Sequence, residues 1–289
     1  TANATELGIL TISDGTYWWR VLAYDDQENS SSWSEIRNLT LDNTLPSIVL
    51  DNPVNGSSVN NNPSIDGSYT QINLTVSDTN LNSVWWSNDS GDNNYSDFTG
   101  SYDLDIQGYD EGVLNITIWA NDSANNIQKK EYSFIIDLAA PIFVWITPSA
   151  NEVIHATQTI NLTATDALSS VDTLTVWYNG STVNYTMTND AGTDEYYYDW
   201  DTIGGSDGSY TIIVYGNDTA NNLKQEERYT IVDNTAPTIV LSGPENNSYT
   251  NLTSITFDFT PDDANNIDNC SLIINNEVNS TITSITKGI

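Results

Sequence analysis

Asp233-Asn234-Thr235-Ala236-Pro237 decides how this chain is read, because related stretches stand at two earlier places, Asp42-Asn43-Thr44-Leu45-Pro46 and Asp137-Leu138-Ala139-Ala140-Pro141. The copies are about 95 residues apart, the length of one small β-sandwich domain. Each follows a strand-like run (Leu39-Thr40-Leu41, Phe134-Ile135-Ile136, Tyr229-Thr230-Ile231-Val232) and precedes another (Ser47-Ile48-Val49-Leu50, Ile142-Phe143-Val144-Trp145, Thr238-Ile239-Val240-Leu241). A proline between two strands removes a donor and fixes φ, so it ends one strand and starts the next. These stretches are expected to be module junctions.

Upstream of each junction runs a longer pattern. One alternate set reads Tyr17/Leu114/Tyr210, Trp19/Ile116/Ile212, Val21/Ile118/Val214 and Ala23/Ala120/Gly216. A period of two with one apolar set predicts a half-buried antiparallel strand. The Asp-Gly-X-Tyr approach to it resembles a tyrosine corner, where the hydroxyl bonds back across the preceding turn. A polar hairpin follows in each copy, at 25–29, 121–126 and 217–222.

Downstream of each junction come a first strand, a turn, and a second strand at 72–76, 160–164 or 255–259. An acidic loop follows, then a third strand carrying Trp85-Trp86, Val176-Trp177-Tyr178 or Leu272-Ile273-Ile274. A tryptophan of that third strand is expected to face the core. With about seven short strands per repeat and no 3.6-residue periodicity, the fold class is expected to be all-β, in tandem sandwiches. The expected organisation is a C-terminal half-module at 1–42, whole modules at 43–137 and 138–233, and an N-terminal half-module at 234–289. Such a chain reads as a section of a longer one. The other solution is that a neighbouring subunit completes each half by strand exchange.

Thirty-nine acidic and seven basic residues give a net charge of −32. Nucleic acid and anionic membrane are poor partners for that surface, whereas metal cations and salty water suit it. No apolar run reaches transmembrane length, so no membrane contact is expected within this segment. The single cysteine, Cys270, excludes a disulfide framework here. Seventeen Asn-X-Ser/Thr triplets occur, where composition alone would give on the order of ten. Candidate N-glycan sites include Asn38, Asn73, Asn88, Asn115, Asn121, Asn161, Asn179, Asn184, Asn217 and Asn251.

Nothing in the inventory points to catalysis. His155 is the one histidine and no nucleophile motif accompanies it. Carboxylate pairs are so abundant that none is specific. No phosphate loop or zinc spacing exists, and no organic cofactor is expected. The aromatic runs Tyr196-Tyr197-Tyr198-Asp199-Trp200 and Trp85-Trp86 would suit a sugar-stacking platform, although alternation sends half of each inward.

The Ile-X-Val-X-Ala-X-Asp-X-Ala-X-Asn style of hairpin and the Asp-Asn-Thr-Ala-Pro junction resemble the Ig-like and fibronectin type III-like repeats of large prokaryotic, and specifically archaeal, cell-surface proteins. The resemblance covers essentially the whole chain. It implies an extracellular, non-enzymatic structural protein: a surface-layer, sheath or filament subunit, or an adhesin stalk, with self-association or a cell-surface ligand as partner. Adhesin or carbohydrate-binding modules accessory to a secreted hydrolase are the alternative. In such a fold the loops after the second and sixth strands lie where the chain enters the module. That places junction residues beside acidic loops in three groups: Asp42 and Asn43 with Asp78 and Asp122; Asp137 with Asp166 and Asp218; Asp233 and Asn234 with Asp262 and Asp263. Hard oxygen ligands from several loops are what calcium takes, and the arrangement is similar in principle to cadherin junctions without their full motif. The same residues equally suit turn and Asx hydrogen bonds. In modules of this look a cysteine at the position of Cys270 pairs with one on the sixth strand, but residues 17–25 offer none.

Overall fold

The computed structural model describes residues 10–64, 71–98, 102–283 and 285. The described residues are strands and turns without a helix. The chain divides into two compact units, one of residues 1–140 with 166–172 and 217–223, the other of 141–165, 173–216 and 224–289.

The first unit opens with a hairpin of β1 (Gly15–Trp19) and β2 (Arg37–Leu41). A sandwich follows, of β3 (Ser47–Asn52), β4 (Ser58–Val59), β5 (Gln71–Ser77), β6 (Leu81–Ser87), β7 (Leu104–Asp105), β8 (Gly112–Asp122) and β9 (Ile127–Ile136). One sheet has the order β3-β5-β7 and the other β4-β9-β8-β6. Alternation decides which side chains meet between them: Leu114, Ile116, Ile118 and Ala120 of β8 pack with Ile72 and Leu74 of β5 and Phe134 and Ile136 of β9. Burying each of these aliphatic side chains contributes roughly 1.5–3 kcal/mol before entropy is charged.

The second unit repeats the plan. It holds β10 (Ile142–Thr147), β11 (Glu152–Ile154), β12 (Thr157–Thr165), β13 (Val171–Tyr178), β14 (Tyr185–Thr186), β15 (Thr188–Asn189), β16 (Glu195–Asp201), β17 (Gly208–Asp218) and β18 (Leu223–Val232). The sheets are β10-β12-β16-β15 and β11-β18-β17-β13-β14. Ile160, Leu162, Leu174, Val176, Ile212 and Val214 are fully buried. In both sandwiches the second strand runs parallel to the last, β4 with β9 and β11 with β18, whereas the first strand pairs antiparallel with the third, β3 with β5 and β10 with β12. A register shift ends the first strand at Leu50/Asn52, at Trp145/Thr147 and at Leu241/Gly243, each followed by a cis proline.

The same unit continues with β19 (Thr238–Gly243) paired to β20 (Asp258–Asp262), and β21 (Cys270–Ile274) paired to β22 (Glu277–Ile282). The strand expected at 255–259 lies three residues later, because Thr238 pairs with Asp262 and Leu241 with Phe259. Asn275 and Asn276 both have positive φ and make the two-residue turn between β21 and β22.

Two local expectations take definite form. Tyr17 Oη donates to Ser13 O at 2.7 Å and Tyr210 Oη to Ser206 O at 2.9 Å, which are the corners expected from Asp-Gly-X-Tyr. The core-facing tryptophan holds for Trp86 but not for Trp177. In β13 the inward positions are Leu174 and Val176, so Trp177 falls on the other face and is half-buried.

Candidate metal centre

The junction aspartates sit where a strand gives way to extended chain, and each begins with the same short-range bond. Asp42 Oδ1 accepts from Thr44 N at 3.0 Å, Asp137 Oδ1 from Ala139 N at 3.1 Å and Asp233 Oδ1 from Thr235 N at 3.1 Å. These are Asx turns, which reverse the chain without help from its neighbours. The second-strand loops do likewise: Asp78 Oδ1 accepts from Asn80 N, Asp166 Oδ1 from Leu168 N and Ser169 N, and Asp263 Oδ1 from Asn265 N. In the hairpins, Asp122 Oδ1 accepts the amides of Ala124 and Asn126, and Asp218 Oδ1 those of Ala220 and Asn222.

Two of the three expected groups come together. One carboxylate oxygen each from Asp42, Asp78 and Asp122 lies within 4.8 Å of the other two, and the same is true of Asp137, Asp166 and Asp218. Asp233, Asp262 and Asp263 are not brought into such a group among the described residues. The loop aspartate equivalent to Asp78 and Asp166 is Asp263, while Asp262 is an exposed residue of β20. Asn43 and Asn234 face elsewhere. Asn43 Nδ2 donates to Asp14 Oδ1 at 2.9 Å, and Asn234 bonds Ala156 and Thr202.

The residues that tie the junctions together were not singled out from the sequence. Asn126 Nδ2 donates to the carbonyl of Asp42 at 2.9 Å and to Asp122 Oδ2 at 2.7 Å. Asn222 Nδ2 donates to the carbonyl of Asp137 at 3.0 Å and to Asp218 Oδ2 at 2.9 Å. The spacing Asp-X-Ala-Asn-Asn, written at 122–126 and 218–222, was the signal. Asp14 and Asp207 are the other omission. Asp14 takes the amide of Asn43 and the hydroxyl of Thr44, and Asp207 takes those of Asn234 and Thr235.

The three junctions differ at one atom. Asp42 Oδ2 accepts from Asn80 Nδ2 at 2.9 Å, and Asp233 Oδ2 from Asn265 Nδ2 at 2.6 Å. The residue in that place at the middle junction, two beyond Asp166, is Leu168, which has no donor to offer. Asp137 is fully buried and its Oδ2 meets no hydrogen bond. Burial, with the nearby charges of Asp166 and Asp218, raises its pKa above the ordinary carboxylate value, against the opposing Ser169 hydroxyl and Ala139 amide. The Asp42 group is wetter. Asp42 and Asp78 are half-exposed and border an open cavity of about 300 Å³. Asp122 has a lowered pKa despite burial, because Asn126 and Ala124 bond its charged form.

Most rings of the aromatic runs pack against other rings. Tyr178 stacks on Trp200 (4.5 Å between centroids) and on Tyr185 (5.7 Å), Tyr185 stacks on Tyr198 (5.0 Å), and Trp200 meets Tyr210 edge-on. Trp85 stacks on Trp119 at 6.2 Å, with Lys129 above the Trp119 ring. Tyr198, Trp200 and Trp85 thus each spend a ring face on a neighbouring ring, while Tyr197 is exposed. His155 is exposed between β11 and β12.

Residues 141–214 match the bacterial Ig domain family, and residues 194–272 match the bacterial Ig-like domain (group 3). The fold is that of tandem Ig-like β-sandwiches. The second match runs across the Asp233 junction into β19 to β21. Similar solved structures include the fibronectin(III)-like modules of Clostridium thermocellum CbhA, at 19% identity over 65% of this chain and 95% of that one, with a TM-score of 0.41. A tetra-tandem repeat from the extending region of a large adhesion protein is 19% identical over 79% of this chain and 59% of that one, with a TM-score of 0.32. Titin Z1Z2 in a chimeric form is 13% identical over 65% and 97%, with a TM-score of 0.30. No curated protein sequence matches the chain.

Proposed function

We propose that this chain is a non-catalytic structural segment of an extracellular cell-surface protein, in which Ig-like repeats in series space or pack the surface. One observation carries the reading. The most repeated polar chemistry in the chain is spent on fastening its own junctions, at Asp42 through Asn80 and Asn126, at Asp137 through Asn222, and at Asp233 through Asn265. An enzyme or receptor module gathers such groups around a cavity that admits a substrate. Here the carboxylates close turns.

The surface suits the outside of a cell. Its charge of −32 keeps copies soluble and draws cations. Exposed sequons would carry N-linked glycans, and the partner class is other copies of the same protein or a ligand on a neighbouring surface. Antibody labelling and protease shaving of intact cells test this. Epitopes in 43–233 should be reached without lysis. Retention of those epitopes inside intact cells, or hydrolysis of polysaccharide by the purified chain, would remove the proposal.

A further inference from the structure

We propose that Asp137, Asp166 and Asp218 hold a calcium ion, which fills the place that an asparagine amide fills at the two other junctions. The argument begins with the missing donor. Asp42 Oδ2 and Asp233 Oδ2 are each closed by the asparagine two residues beyond the loop aspartate, Asn80 and Asn265. Leu168 occupies that place beside Asp137. A fully buried carboxylate oxygen with no partner is costly and rare. Its Oδ1 is already engaged by the Ala139 amide, so Oδ2 is the oxygen left to bind a ligand.

The surroundings say what that ligand is. Oxygens of Asp166 and Asp218 lie within 4.8 Å, a spacing that one ion about 2.4 Å from each can span. None of the three aspartates forms an ion pair among the described residues. A water would leave three like charges crowded in and beside a buried pocket, whereas a divalent cation offsets most of them. All donors are hard oxygens from three separate segments: the end of β9, the loop after β12 and the hairpin between β17 and β18. Calcium accepts such an irregular set, while magnesium demands near-octahedral geometry and keeps its waters. The Asp42 group does not qualify on these grounds. Both oxygens of Asp42 are already bonded, so no junction carboxylate oxygen is left without a partner there, and two of its three aspartates are half-exposed.

The proposal rests on the extracellular reading only for the supply of calcium, and its test uses the purified full chain. Calorimetric titration with calcium chloride should show one saturable site, with Kd on the order of 10⁻⁴–10⁻³ M. Calcium at about ten times Kd should raise the melting temperature by several degrees over chelator. Asp137→Asn and Asp166→Asn should each abolish the site. In chelator Asp137→Asn should melt no lower than wild type, because a buried charge is gone. The decisive variant is Leu168→Asn, which restores the amide donor. It should bind calcium at least ten-fold more weakly and melt higher than wild type in chelator. The assignment is overturned by absence of a saturable site in wild type, by a site that survives Asp137→Asn and Asp166→Asn, by Leu168→Asn binding unchanged, or by magnesium binding as tightly as calcium. A failed titration would leave surface location standing, and an intracellular location would leave the binding standing.

Discussion

The side chain of Asn222 donates from Nδ2 to the main-chain carbonyl of Asp137 at 3.0 Å, and the residue is almost wholly buried. The same nitrogen reaches Asp218 Oδ2, and Asn222 Oδ1 accepts from Asn60 Nδ2. Truncation strands a buried carbonyl and a carboxylate at once. Asn222→Ala should therefore lower stability by about 3 kcal/mol. Asn29 holds Asp25 through the same i+4 bond on an exposed hairpin, so Asn29→Ala should cost about 1 kcal/mol or less. Urea unfolding of the two variants provides the comparison, and equal losses would show that burial of the amide is not what matters.

Gly216 and Ala120 occupy the same place in β17 and β8, yet only one site admits a methyl group. A Cβ at Gly216 would stand 2.8 Å from Phe143 Cζ and 3.0 Å from Leu174 Cγ. Gly216→Ala should destabilise by about 1–3 kcal/mol through overpacking. Ala120→Gly should cost about 1 kcal/mol, from backbone freedom and a lost contact. A Gly216→Ala chain that unfolds at the wild-type midpoint would contradict the packing described for β10 and β13.

Asp207 fastens the third junction by accepting the Thr235 hydroxyl and the Asn234 amide, and these bonds hold its carboxyl below the ordinary range. A folded pKa below the unfolded one means that the unfolded chain binds the proton first. The stabilisation is thus complete above the unfolded value, near 3.8, and is lost as pH falls through the folded value. Asp14, lowered by Asn43 and Thr44, follows the same rule. Stability measured from pH 5 downward should fall less steeply in Asp207→Asn than in wild type. Parallel slopes would show that Asp207 contributes nothing to acid sensitivity.

Glycan occupancy should divide by side-chain access. Asn38, Asn88, Asn115, Asn179, Asn184 and Asn251 are exposed, whereas Asn73, Asn121, Asn161 and Asn217 are half-buried within strands. Asn217 Nδ2 bonds the carbonyl of Asp218, and the amide oxygens of Asn121 and Asn161 are buried. Peptide mapping by mass spectrometry of protein from its native host should find glycans in the first group and not in the second. Full occupancy at Asn121 or Asn161 would mean that modification precedes folding there.

Alternation and punctuation made the sandwiches legible, because both depend on neighbours in sequence. The apolar set ending in Ala120 and Gly216, the Tyr17 and Tyr210 corners, and the pairing of junction with acidic loop all follow from spacings of two, four or one repeat. Trp177 was misplaced because Val176 and Trp177 are both apolar, and only the register of Leu174 decides which one turns inward. The strand expected at 255–259 is shifted because its partner sets its ends, and Pro261 tolerates an edge. What the sequence concealed was the difference among the junctions. Asn80 and Asn265 look like any loop asparagine, and Leu168 like any loop leucine, until the oxygen that each one faces is known.

The parallel pairing of β4 with β9 and β11 with β18 has a mechanical consequence. Tension enters a sandwich toward the start of its early strands and leaves through the end of its last one. Pulled in opposite senses, β11 and β18 slide along each other rather than peel apart. Asp233 N to Ile154 O at 2.9 Å, Asn151 N to Tyr229 O at 2.8 Å and Thr230 Oγ1 to Glu152 O at 2.7 Å then carry the load side by side. In the earlier sandwich the same load falls on Asp137 N to Val59 O, Ile135 N to Ser57 O and Gly56 N to Ser133 O. Bonds loaded in shear must break together. A load applied between the ends of either sandwich is therefore met by bonds that lie against its own exit strand.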